Sequence, residues 1–409
     1  MHKSPLRQLP FEVWALLLGM FTVALGYGVV APVLPAYGIY FGVGFAAASA
    51  IVSAFAAMRL LFAPASGALV RRFGERRVYI WGLLIVAITT GGCAFVGEYW
   101  QLITLRALAG IGSTMFSVSA MGLLIKLSPV DARGRVASLN SGSFMVGGVA
   151  GPLLGAAFAS LGLRAPFIFY FALLIVAAAI VGIALRKSQV IENDEHSPMH
   201  PILTLRQALG YSQYRAALGS AFAHGWGTIG VRSALIPLFA VAILGESAGV
   251  AGLLFATFAV ANLLFLMPSG RWSDSYGRKP FILLGLLTSS AGLLLLTTTD
   301  NLWWAIAIVA LGGIGSAFLA PGQQAVVADV LGTKARGGQV LAAYQMSTDF
   351  GAVLGPILAG LLIDGFSFDW GLVAGATVFL IAAVIWMFTP DSKLLRAETR
   401  PIVSQQIEG

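Results

Sequence analysis

Residues 55–67 read FAAMRLLFAPASG, and residues 258–270, 203 positions further on, read FAVANLLFLMPSG. The two stretches coincide at Phe55/Phe258, Ala56/Ala259, Leu60/Leu263, Leu61/Leu264, Phe62/Phe265, Ser66/Ser269 and Gly67/Gly270. The same shift sets Gly74 on Gly277, Arg76 on Lys279, Gly110-Ile111-Gly112-Ser113 on Gly313-Ile314-Gly315-Ser316, and Ala132-Arg133-Gly134 on Ala335-Arg336-Gly337. One inserted residue later, Gly151-Pro152 meets Gly355-Pro356. The chain is therefore a duplicated unit, and its fold has to be built twice from one plan.

The solvent of that unit follows from composition. Of 409 residues, 58% are apolar and 10% charged, against roughly 45–50% and 25% in globular domains. Too little polar surface remains to face water, so the bilayer must be the solvent. A helix crossing a hydrocarbon core about 30 Å thick needs roughly 20 mostly apolar residues. Twelve stretches qualify: 13–37, 45–70, 78–96, 100–127, 136–161, 165–185, 214–241, 247–269, 281–298, 302–327, 339–363 and 370–388. Runs this long and uniformly apolar are helices, because unpaired backbone is costly in lipid and barrel strands alternate polar with apolar residues. The expected fold is an all-α membrane protein of 12 transmembrane helices in two pseudo-symmetric six-helix bundles, residues 1–186 and 214–390. A cytoplasmic linker with a surface helix is expected over 187–213, and a cytoplasmic tail over 391–409. The basic start MHKSPLRQLP precedes an apolar run too long for a signal peptide, so the first span is expected to remain in place.

Orientation follows from the basic residues between spans. Twenty-one lie on one side: Lys3, Arg7, Arg71, Arg72, Arg76, Arg77, Lys126, Arg133, Arg135, Arg186, Lys187, Arg206, Arg215, Arg271, Arg278, Lys279, Lys334, Arg336, Lys393, Arg396 and Arg400. The other side holds Arg164 with Glu98, Glu246, Asp300, Asp364 and Asp369. Both termini are thus expected in the cytoplasm of a multi-pass protein of the plasma membrane. The net charge of +8 is then a topology signal rather than a nucleic-acid footprint. A single cysteine, Cys93, excludes an intrachain disulfide and a cysteine-rich metal site. No Gly-x-x-x-x-Gly-Lys-Ser/Thr loop occurs, which argues against ATP-driven pumping. No metal, cofactor or catalytic residue is expected, and the chain reads as a monomer whose partners are a small-molecule substrate, protons and membrane lipid.

Between the eighth and ninth spans stands GRWSDSYGRKP, with Gly270, Asp274, Gly277, Arg278 and Lys279. Glycines permit a tight turn there, the aspartate can cap a helix or pair with an arginine, and basic residues stay at the headgroups. The first-half copy, GALVRRFGERRV, carries Arg71 where the aspartate belongs and Glu75 where a base belongs. The fourth span contains LITLRALAGIGST, with Leu102, Arg106, Gly110 and Gly112, and the fifth reads SGSFMVGGVAGPLLGA, with Gly142, Gly147, Gly148, Gly151, Pro152 and Gly155. The eleventh echoes it in Gly351, Gly355, Pro356 and Gly360. Small residues four apart let helices approach closely, and a proline bends a span.

On these motifs the whole chain resembles the major facilitator superfamily, and within it the twelve-helix drug:proton antiporter families. The resemblance implies that the loop at Gly270–Lys279 latches an inner gate, that Arg106 belongs to proton coupling, and that the glycine-and-proline face of the fifth span marks an exporter. Close packing of that face against the opposite half would seal one side of a cavity. In place of the motif's glutamine stands Ala109, and the first latch copy is exchanged or lost. Topogenic turn charges remain the plainer reading of both latch loops, generic packing that of the glycines, and snorkelling to the outer surface that of Arg106.

Four full charges lie well inside spans, Arg59, Arg106, Arg232 and Asp349, with His224 as a fifth titratable group. Such residues are functional candidates by default. Arg59 and Asp349 each lie 11 residues from the inner end of their span, a depth of about 16 Å. The resemblance sets their spans side by side, so a pair across the interface is expected. Low dielectric favours a neutral carboxyl and a nearby guanidinium favours a charged one, so making and breaking the pair would switch proton affinity. A permanent bridge that aligns the halves is the alternative. Asn262, the repeat mate of Arg59, shows that packing of the repeat does not require the arginine. Arg232 and His224, two turns apart, can face one cavity, or the histidine can be satisfied by a neighbouring helix. Three arginines to one aspartate favour an anionic or zwitterionic substrate.

The expectation is a secondary active transporter, proton-coupled, exporting a small organic molecule or drug by alternating access. A proton-coupled importer or facilitator of an organic anion is the second reading, and a transport-inactive membrane sensor the third.

Overall fold

The computed structural model describes residues 9–128, 133–159, 161–186, 204–331 and 338–392, and every described regular element is helical. Twelve helices follow one another: α1 (Phe11–Tyr40), α2 (Phe45–Phe73), α3 (Glu75–Gly92), α4 (Tyr99–Leu127), α5 (Arg133–Ala159), α6 (Ala165–Ala184), α7 (Ser212–Ala242), α8 (Ala248–Tyr276), α9 (Lys279–Leu296), α10 (Leu302–Leu331), α11 (Gly338–Gly365) and α12 (Phe368–Met387). Eleven are long and apolar enough to cross a membrane. The exception, α5, opens on Arg133, Arg135 and Asn140, which leaves Gly142–Phe158 as its apolar part. Several calls of orientation and repeat lie outside the described residues: Lys3, Arg7, Ala132, Lys187, Lys334, Ala335, Arg336, Gly337, Lys393, Arg396 and Arg400. So do linker residues 187–203 and the tail beyond Ser392. What is described of the linker is one helical turn, Leu205–Ala208, capped by Thr204 and Gln207, which leads into α7.

Two helices depart from regular geometry. Pro32 and Pro35 interrupt α1, which turns over residues 31–33 and resumes at Leu34, as expected where a proline removes an amide from the ladder. In α7, Gly225–Val231 is π-helical. Its three glycines sit where the backbone is pressed against neighbours. A Cβ at Gly225 would lie 1.8 Å from the Thr348 carbonyl oxygen, one at Gly227 2.1 Å from the Phe379 ring, and one at Gly230 2.8 Å from Pro356.

Inside the first half α1 packs on α5 and α6, α4 on α2 and α3, and α3 on α6; the second half repeats this with α7 on α11, α10 on α8 and α9, and α9 on α12. The halves meet along α2–α11 and α5–α8, two seams related by the repeat. Close contacts between them gather at the ends away from the arginine-rich loops. There Ala46 lies 2.6 Å from a Cβ built on Gly360, Ala156 lies 2.7 Å from one built on Gly252, and the rings of Phe45 and Phe368 meet at 5.9 Å. Asp364, at the end of α11, accepts hydrogen bonds from the backbone N–H of Phe45 (2.8 Å) and Ala46 (2.9 Å) in the first turn of α2. Lipid offers little hydrophobic force between spans, so such close approach of small residues carries the packing.

Candidate functional site: the chamber between the halves

Below these outer contacts a chamber of about 330 Å³ lies between the halves. Tyr27 of α1, Gly148 and Pro152 of α5, Arg232 of α7, and Phe258 and Asn262 of α8 are among its lining. Volume and mixed lining fit a small organic molecule. Arg232 is held by the π-segment: the widened turn frees the Thr228 carbonyl, which accepts from Arg232 Nε at 2.9 Å. The guanidinium then lies over two rings, 4.6 Å from the centroid of Phe255 and 4.2 Å from that of Phe258. Asn262 spends one amide hydrogen on the Gly313 carbonyl at 3.3 Å, tying α8 to α10.

Arg59 and Asp349 do not form the expected bridge in this conformation. Arg59 Nη1 donates to Ser113 Oγ at 2.8 Å, and Asp349 Oδ1 accepts from Gln345 Nε2 at 3.0 Å. No ion pair within 4.0 Å joins them, though the guanidinium acts on the carboxylate through space across the α2–α11 seam. Each has a neutral partner on its own half instead. Arg106 does not snorkel. It is 3% exposed, its Nε has no hydrogen-bond partner among the described residues, and its guanidinium stacks 4.6 Å from the Phe55 ring centroid. His224 is not among the residues that line the chamber with Arg232, which corrects the reading of one shared cavity. His224 Nδ1 is buried without a hydrogen-bond partner among the described residues.

The glycine face of α5 seals against its own half, not the opposite one, which corrects the expected packing. A Cβ at Gly147 would lie 2.8 Å from Ala24, one at Gly151 2.4 Å from the Leu25 carbonyl, and one at Gly155 2.5 Å from the Val29 carbonyl, all on α1. Gly148 alone turns into the chamber, with nothing near its Cβ position. Pro152 packs on Gly28 as Pro356 packs on Gly230, so α1–α5 and α7–α11 are the same joint built twice.

The two loops at the arginine-rich end are also a pair, with their charges exchanged. In the second, Gly277 turns at φ +107°, Arg278 pairs with Asp274 and, at 3.5 Å, with Asp329 of α10, and Lys279 Nζ donates to the Met387 carbonyl at 2.8 Å. In the first, Gly74 turns at φ +79° and Glu75 pairs with Lys126 of α4 at 2.6 Å. Glu75 is the repeat mate of Arg278 and Lys126 that of Asp329. All these partners lie within one half, and the Asp274 side chain is 67% exposed, so neither loop bridges the halves in this conformation. Sequence reading took Lys126 and Asp364 only as orientation charges and missed the contacts they make. Applying the 203-residue shift to Lys126 would have found the first; nothing local marks the second.

Two six-helix bundles, joined by pseudo-symmetric seams around a chamber at mid-depth, define a membrane transporter fold. The family model for the Major Facilitator Superfamily matches residues 16–223 and again 217–404, and the chain belongs to that superfamily, as a multi-pass membrane transporter. It is 28% identical to the tetracycline resistance protein, class C, of Escherichia coli over 89% of this chain and 94% of that protein. To multidrug resistance protein 2 of Bacillus subtilis it is 24% identical, over 85% and 88%. Among solved structures, a bacterial homolog to the human lysosomal transporter Spinster superposes with a TM-score of 0.79 at 16% identity, covering 97% of this chain and 98% of that one.

Proposed function

We propose that the chain is a proton-coupled exporter of a small organic molecule in the plasma membrane, working by alternating access with both termini in the cytoplasm. The observation that carries this reading is Asp349. It is the one carboxylate well inside a span among the described residues. It sits on a seam between the halves, holds a single neutral hydrogen bond, and lies in the field of Arg59 without touching it. A carboxylate so placed can take a proton while the seam is open and lose it when Arg59 closes on it. Arg106 supports the same coupling from within the first half. With the arginine-rich ends in the cytoplasm, the chamber is open inward and loads from that side. The α5–α1 and α11–α7 joints would act as hinges, and the loops at Gly74 and Gly277 as latches. The relatives named for tetracycline and multidrug resistance support export.

The test is Asp349→Asn in proteoliposomes. Transport driven by a pH gradient should be abolished while substrate exchange persists; undiminished pumping would refute the proton role. Adding substrate to energised everted vesicles should release luminal protons. Retention of those protons would favour the second reading, an importer of an organic anion, to which the unpaired arginines lend support.

A further inference from the structure

The two halves each hold a buried guanidinium over the same phenylalanine of the repeat, yet supply it from different helices. Arg106 on α4 stacks on Phe55, and Arg232 on α7 stacks on Phe258, its repeat mate. The positions equivalent to the two arginines are Val309 and Val29, so neither cation is a requirement of the fold. Neither has a carboxylate within 4.0 Å among the described residues. Arg106, 3% exposed, makes no hydrogen bond with them, and Arg232 donates only to a backbone carbonyl. Both face Tyr27, whose phenol is within electrostatic reach of each guanidinium. A narrow cavity of about 10 Å³, room for a single water, is lined by Tyr27, Phe55, Arg106 and Ser233, adjoins the chamber and shares Tyr27 and Ala31 with it.

A buried guanidinium without an anion is costly, and stacking on a ring recovers only part of the lost hydration. Two of them converging on one phenol make a site that repels cations. A carboxylate placed there would gain charge-assisted, fork-shaped hydrogen bonds that no protein group supplies. The lone interior carboxylate, Asp349, is not available to compensate, since it interacts with Arg59 and Gln345. Around the cations the walls are aromatic, with Tyr27, Phe55, Phe255 and Phe258.

We infer that the chamber binds an organic anion, a carboxylate on an aromatic body, with its head group on Arg232 beside Tyr27, where Arg106 on the far side of Tyr27 adds its positive field, and its rings against Phe255 and Phe258. The inference rests on reading the chamber as the transport site, and binding alone tests it. Purified full-length protein in detergent is titrated by thermal shift with 2-naphthoate, its neutral amide 2-naphthamide and the cation 2-naphthylmethylammonium. The carboxylate should stabilise saturably, with at least tenfold tighter binding than the amide and none of the ammonium. Arg106→Gln and Arg232→Gln should each weaken the carboxylate at least tenfold and leave the amide unchanged. Arg232→Lys should retain part of the affinity, and Arg164→Gln at the surface all of it. Unliganded melting of each variant separates loss of fold from loss of site. Equal binding of amide and carboxylate, preference for the ammonium, no carboxylate binding up to millimolar concentration, or indifference to both arginine variants would overturn the inference. Proton-driven pumping that depends on Asp349 would stand in any of those cases, so the two readings fail separately.

Discussion

The charge exchange between the two loops can be tested by copying one onto the other. Glu75→Arg with Lys126→Asp writes the second-half pair Arg278–Asp329 into the first half and leaves the net charge of that end unchanged, so topology is not disturbed. The native Lys126–Glu75 contact is short, 2.6 Å, but its side chains are 36% and 17% exposed, which sets its worth at about 1 kcal/mol. Lys126→Asp alone replaces attraction by repulsion of similar size, so the loss rises to about 2 kcal/mol. The double variant should return to within about 0.5 kcal/mol of the native chain, a coupling well above the ~0.3–0.5 kcal/mol at which independent sites add. The Arg278–Asp329 pair is nearly inaccessible, at 5% and 0%, and removing Asp329 alone should cost about 3–5 kcal/mol because Arg278 is left buried and less compensated. Reversible unfolding in mixed micelles, followed by circular dichroism over the full cycle of variants, gives these differences. If the two single changes simply add in the double variant, Glu75 and Lys126 are independent headgroup charges and the inverted latch does not exist.

The helix joints and the outer seam give two further predictions. Gly151→Val needs space that the Leu25 carbonyl occupies, at 2.4 Å from the first added carbon; overpacking of this kind costs about 1–3 kcal/mol, and transport should fall with stability, whereas Gly148→Ala, facing open space, should leave stability unchanged. Asp364→Ala removes the acceptor of two first-turn amides of α2, worth about 1 kcal/mol at a water-exposed helix N-terminus, so the outward-open population should rise roughly fivefold. A cysteine reporter, Gly148→Cys, can read this by its labelling rate with an impermeant maleimide from the outer side, because the native Cys93 is buried; an unchanged rate would refute the role of Asp364.

What was legible in the sequence and what was not divides along physical lines. The bilayer forces spans of a set length and composition, so the twelve helices could be read from apolar runs, and the repeat could be read because packing at Gly110 and Gly313, where a Cβ would lie 2.4 Å from the Phe55 carbonyl of α2 and the Phe258 carbonyl of α8, tolerates no side chain in either copy. A glycine stripe says that something approaches a helix but not what, so the face at Gly147, Gly151 and Gly155 was assigned to the wrong neighbour. The π-segment of α7 has no periodic signature, only Gly225, Gly227 and Gly230 at contacts that exist once α11 and α12 are in place. Arg59 and Asp349 were found because charge in lipid is conspicuous, while whether they meet depends on how the two halves sit against each other, which composition does not encode. The interior arginines carry the same lesson to its end. Duplication fixes Phe55 and Phe258 in both halves, but Arg106 comes to one ring from α4 and Arg232 to the other from α7. A shift of 203 residues pairs each arginine with a valine, so the feature that gives the chamber its charge is the one that the symmetry of the fold hides.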